Sequence, residues 1–209
     1  MAVIVAYGDS NTWGYDPASG ERFGPQARWT GVMARELGAA HTIVEEGLNG
    51  RTTVHDDPFE PHRNGLTYLA PCLLSHAPLD LIVIALGCND LKQRFGLSAG
   101  DIALGAERLL LTAKASNSGP TGKPPEIILV APPPLAALTG FAEMFQEGTE
   151  KAKLLGARYS ALATMHGVGF VDAGGHIHCS PLDGIHFDSD QHALLGLAMA
   201  NAVKQRLGF

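Results

Sequence analysis

Basic residues are scarce in this chain: 15 Lys and Arg stand against 21 Asp and Glu, a formal charge of -6. Without a basic face to neutralise a phosphate backbone, nucleic acid is not expected as a partner. Cysteine is sparse too. Cys72, Cys88 and Cys179 are odd in number and lack CxxC spacing, which fits buried free thiols in a reducing compartment better than a disulfide frame or a zinc site. No apolar run approaches the roughly 18 residues of a membrane span. The N-terminus shows no basic leader followed by an apolar stretch and a small-residue cleavage site, so a soluble, cytoplasmic protein with no membrane partner is expected. Neither GxGxxG nor a P-loop follows the first apolar run, which disfavours a nucleotide-binding module. His176, His178, His186 and His192 cluster near the C-terminus, but no HExxH accompanies them, and no metal or other cofactor is expected.

What the chain does contain is apolar material, 45% of 209 residues with only 17% charged, enough for one sizeable core and one domain over residues 1–209. Short β-branched runs recur at wide intervals: AVIVAY at 2–7, HTIVEE at 41–46, LDLIVIAL at 79–86, EIILVA at 126–131 and VGFVDA at 168–173. Longer segments with helical spacing lie between them, including one from 141 to 167, and a last one closes the chain. Apolar strands separated by helix-length crossovers predict a parallel sheet of about five strands covered on both faces, a three-layer α/β/α sandwich.

In such a sheet, ligands bind beyond the carboxyl ends of the strands. The residues found there are unusually polar: Gly8, Asp9, Ser10 and Asn11 after the first run, Gly47 to Arg51 after the second, Gly87 to Asp90 after the third, and Asp183 to His186 after the fifth. A serine hydroxyl becomes a nucleophile when a base takes its proton, and the base works best when a third group fixes its tautomer. His186 suits the base, and Asp183, three residues earlier, is spaced to reach its Nδ1. The backbone N–H groups of Ser10 and Gly50 and the side-chain amide of Asn89 could hold an oxyanion.

Four blocks in this order, GDSN at 8–11, GLNG at 47–50, GCND at 87–90 and DGIH at 183–186, resemble the SGNH hydrolases, also called GDSL-type esterases. Asn11 stands where the broad family often has leucine. With WGYD following and GLNGRTT later, the sequence is similar to the bacterial arylesterase branch, some members of which also transfer acyl groups to alcohols or peroxide. The resemblance implies a flavodoxin-like fold and a serine esterase acting on small acyl esters. Ser10 would be its nucleophile, Asp183 and His186 would complete the triad, and Ser10, Gly50 and Asn89 would supply the oxyanion hole. It also implies a homo-oligomer.

Other positions carry plainer expectations. Asp9 is read as bonding turn amides, and Asp90 as capping a helix at LKQRFG. VHDDPFEPHRNG at 54–65 reads as a surface loop, and the apolar 132–145 segment as a pocket wall or oligomer contact. Trp13, three residues past Ser10, is placed near the acyl pocket as a substrate-binding residue, while Tyr15, Phe23 and Trp29 read as core or interface. Two further functions compete. One is deacetylation of acetylated carbohydrates by the same triad. The other is a divalent-metal phosphoesterase in which Asp9, Asn89, Asp183 and His186 ligate the ion, which leaves Ser10 and Gly50 without a role.

Overall fold

The structure, a computed structural model, describes residues 1–209. Five strands, β1 (Val3–Gly8), β2 (Thr42–Gly47), β3 (Leu81–Ala85), β4 (Glu126–Ala131) and β5 (Gly169–Asp172), form one all-parallel sheet in the order β2-β1-β3-β4-β5. The helices are α1 (Ser10–Trp13), α2 (Trp29–Leu37), α3 (Gly65–Ser75), α4 (Ala99–Ala115), α5 (Gly148–Ala152), α6 (Leu155–His166) and α7 (Ser189–Leu207). None is long and apolar enough to cross a membrane.

Apart from the exposed Glu126 that opens β4, the central strands are apolar, and their alternating side chains feed two separate cores. Val5, Tyr7, Ile82, Ile84, Ile127 and Leu129 pack against α3, α4 and α6. Ile4, Ala6, Leu81, Val83, Ile128 and Val130 pack on the other face against Trp29 and Met33 of α2 and Leu195, Met199 and Val203 of α7. The alternating pattern of strands and crossover helices thus yields the expected sandwich.

Two local features differ from the sequence reading. β2 is an edge strand and only half-buried, and its adjacent Glu45 and Glu46 alternate to opposite faces. Glu45 meets Arg28 at 2.5 Å and the Thr30 hydroxyl, while Glu46 meets His76 at 2.9 Å. The helix expected from 141 begins only at Gly148, because Glu147 lies at φ 63°, a left-handed backbone that no continuous right-handed helix can pass.

The chain leaves β1 toward β2 on one side and returns to β3 on the other, so the topological switch point lies between β1 and β3. The crevice beyond those two strand ends is where such sheets bind ligands.

Candidate active site

Ser10 follows β1 directly. A Cβ on Gly8 would lie 2.0 Å from the Thr12 hydroxyl, so only glycine lets the strand turn this sharply into α1. Asp9 caps α1, its Oδ1 accepting the Asn11 N–H at 3.0 Å, which bears out its reading as a turn residue. Asn11 Nδ2 donates to the carbonyl of Ile185 at 3.4 Å and so touches the loop that carries His186.

That loop is closed on itself: the Ser180 N–H bonds the His186 carbonyl at 2.7 Å and the Gly184 N–H bonds the Ser180 carbonyl at 2.9 Å. Within it, Asp183 Oδ1 accepts the backbone N–H groups of Ile185 (2.8 Å) and His186 (2.9 Å), and Oδ2 lies 2.6 Å from His186 Nδ1. Burial alone would raise the Asp183 pKa. The imidazole and the two amides outweigh it and hold the carboxyl below its usual range. An ionised Asp183 can only accept, so Nδ1 carries the ring proton and Nε2 presents its lone pair to Ser10 Oγ, 2.9 Å away. Three residues separated by as many as 176 positions are thereby joined in one hydrogen-bonded chain.

Around Ser10 and His186 lies a cleft of about 150 Å³ with two unlike walls. Tyr15, Phe141, Met144, Phe145 and Ile185 form the apolar wall, and the Tyr15 ring lies 4.1 Å from that of His186. The polar wall holds Asn49, Gly50, Glu60, Asn89 and Lys92. Gly50 sits at φ +79°, and a Cβ there would meet Glu60 Oε2 at 2.7 Å. Asn89 Nδ2 donates to the Arg51 carbonyl at 3.2 Å and to Asp9 Oδ2 at 3.4 Å, two long contacts that fix the amide. The structure therefore brings Ser10, Gly50, Asn89 and His186 to one cleft, with Asp183 behind His186 on its Nδ1 side.

Trp13 does not line it. Its backbone presses on Gly47, where a Cβ would be 2.2 Å from Trp13 N, and its indole carries the Arg22 guanidinium at 5.2 Å. The chain then reverses at Gly14 (φ 92°), so Tyr15, beside His186, lines the cleft where the sequence reading expects Trp13 near the acyl pocket. Asp90 is no helix cap either. LKQRFG forms short 3-10 turns, and the buried Asp90 carboxylate accepts the Thr53 N–H at 3.0 Å and the Thr53 hydroxyl. In the metal-ligand set proposed from Asp9, Asn89, Asp183 and His186, the last two are joined in the chain of contacts that ends on Ser10. Both Asp183 oxygens and His186 Nδ1 are engaged with one another or with amides, and Nε2 faces Ser10.

Several supporting residues escaped sequence reasoning. Arg51 is buried; its Nη1 donates to the carbonyls of Gly8 (2.9 Å) and Glu46, and its guanidinium lies 4.2 Å over the Tyr7 ring. The 54–65 segment is more than a surface loop. Asp57, its side chain fully enclosed, pairs with Lys92 Nζ (3.4 Å) and Arg94 Nη1 (2.9 Å), and Lys92 also reaches Glu60 (3.0 Å). These pairs tie the loop after Gly50 to the turn that bears Asn89. The only sequence signal was a set of opposite charges 32 to 37 residues apart, which spacing alone cannot match up.

The sequence model of the GDSL-like Lipase/Acylhydrolase family matches residues 6–194. The native aryl esterase of M. smegmatis is 43% identical, with 99% of this chain and 100% of that chain covered and a TM-score of 0.94. A carbohydrate acetylesterase from Sinorhizobium meliloti is 41% identical over 98% of this chain and 99% of its own, also at a TM-score of 0.94. A carbohydrate acetylesterase family member from the same organism is 38% identical over 100% of both chains, with a TM-score of 0.95. No curated protein matches the chain.

Proposed function

The chain belongs to the GDSL-like lipase/acylhydrolase family and is a carboxylic ester hydrolase; from that premise we propose that it cleaves short-chain acyl esters through a covalent acyl-Ser10 intermediate. The observation that carries this reading is the run of contacts from Asp183 through His186 to Ser10, at 2.6 and 2.9 Å. His186 Nε2 takes the Ser10 hydroxyl proton as Oγ attacks the acyl carbon. The oxyanion so formed is held by the N–H groups of Ser10 and Gly50 and the Asn89 amide. The imidazolium, stabilised by Asp183, then gives its proton to the leaving alkoxide, which departs as the alcohol. Water enters by the reverse sequence, losing its proton to His186 and releasing the acid. An alcohol or peroxide taking the place of water would accept the acyl group instead.

The cleft's modest volume supports a short acyl chain, and its wall of Tyr15 and Phe141 supports an aryl or alkyl alcohol. A second reading, removal of acetyl groups from carbohydrates, is favoured by the polar wall of Asn49, Glu60 and Lys92, which offers partners to hydroxyl groups.

Ser10→Ala tests the common mechanism. It should keep the fold and lower ester turnover by several orders of magnitude, roughly 10⁴-fold or more. Wild-type protein should gain mass at Ser10 from an organophosphate. Substantial residual turnover in the variant would remove Ser10 as nucleophile. Relative kcat/KM on aryl acetates and acetylated sugars of matched leaving-group reactivity separates the two substrate classes.

A further inference from the structure

Glu46, Cys72 and His76 form a cluster that the chemistry above does not use and that shares no residue with the cleft around Ser10. Glu46 projects from β2 onto the α3 side of the sheet. Cys72 lies within α3, and His76 is four residues further on at its C-cap, a spacing that sets both side chains over the same turn. One carboxylate oxygen, one sulfur and one ring nitrogen lie within 4.8 Å of one another, with His76 Nε2 2.9 Å from Glu46 Oε1. Cys72 is closed to solvent, but the His76 side chain is 31% exposed, so the cluster opens to the surface on that side.

A carboxylate and an imidazole in contact need no further account than their mutual hydrogen bond. A buried sulfur converging on the same point adds a third donor, and the combination is characteristic of one class of ligand. Thiolate and imidazole favour borderline-soft divalent ions, whereas Mg²⁺ and Ca²⁺ take oxygen ligands. We propose that Glu46, Cys72 and His76 form a binding site for one Zn²⁺-class cation, with water as the fourth ligand. On binding, the Cys72 S–H bond breaks and its proton leaves to solvent, while the thiolate, the Glu46 carboxylate and a neutral His76 each give an electron pair to the ion. The two anionic ligands balance its charge. Placing a tetrahedral ion between the three atoms requires the imidazole and carboxylate, now 2.9 Å apart, to part slightly, and His76, at the helix end, can make that shift by side-chain rotation.

The test uses the full-length protein stripped with EDTA and titrated with Co²⁺ and Zn²⁺. One equivalent of Co²⁺ should produce a near-ultraviolet thiolate-to-cobalt absorption band, and one equivalent of Zn²⁺ should displace it and raise the unfolding temperature. Cys72→Ser should abolish the band and Cys179→Ser should retain it. His76→Gln, a change at a partly exposed position that leaves the core untouched, should weaken Zn²⁺ binding by at least about tenfold. No band in the wild-type protein would overturn the site, as would a band that persists in Cys72→Ser or an affinity unchanged in His76→Gln.

Discussion

Two carboxylates flank Ser10, and the regions that hold them treat their charge in opposite ways. Asp183 sits in a loop that folds back on itself and supplies two amides and an imidazole, and its pKa falls. Asp9, at the end of β1, is packed on all sides. Burial pushes it up to about 6, against which it has one firm amide bond from Asn11 and weaker help from the His186 ring and the Arg51 charge. Their residue exposures, 3% for Asp9 and 7% for Asp183, differ little. The decisive differences are the number of donors and the depth of protein around each group. The fold thus keeps one acid ionised against an imidazole while a second, one residue from the proposed nucleophile, serves the turn.

Asp183→Asn should produce the largest break in this comparison. The amide keeps the size but can hold His186 in the wrong tautomer, so kcat should fall by roughly 10³- to 10⁴-fold with the fold intact. Circular dichroism beside steady-state kinetics checks it, and near-normal turnover would deny Asp183 its orienting role. Because the Asp183 pKa is lowered on folding, the stability it contributes is present above the ordinary carboxylate value and lost as pH falls through the folded one. The acid side of the unfolding-temperature profile should therefore be shallower in this variant.

Next in size is Asn89→Ala, which removes one proposed oxyanion donor and should lower kcat by roughly 10²- to 10³-fold with a smaller change in KM. Equal losses in binding and turnover would instead make Asn89 a ground-state contact.

Asp9→Asn should cost least in turnover, within about tenfold, and its main signature is in stability. The folded state holds the Asp9 proton more tightly than the unfolded chain. Its penalty is therefore absent below the ordinary value of 3.8 and grows as pH rises to about 6, reaching on the order of 2–3 kcal/mol. Asparagine removes that titration, so the variant's unfolding temperature relative to wild type should climb across this window. A constant difference from pH 4 to pH 7 would show that Asp9 ionises as freely in the folded protein as in the unfolded chain.

The strands, the sandwich and the polar strand ends were legible because each is a local property. β-branched runs of strand length, helical spacing between them, and short polar blocks such as GDSN and DGIH are all visible within a few residues. The convergence of Asp183 on His186 was legible for the same reason, since its whole geometry is made within four residues. Trp13 and Tyr15 show where this ends. Both aromatic rings lie within five residues of Ser10, yet which one faces His186 is settled by the contact of Trp13 with Gly47, on another strand.

What the sequence by itself determined is the parallel α/β architecture and the kinds of groups that stand at its strand ends, because periodicity and turn chemistry act over neighbouring residues. Only the tertiary structure decided which of those groups meet, that Asp57 and Lys92 would lock the Gly50 loop to the Asn89 turn, and that Glu46 would face Cys72 and His76. Those pairings depend on strand order and on which face of an edge strand each side chain takes, and no local pattern in the chain encodes either.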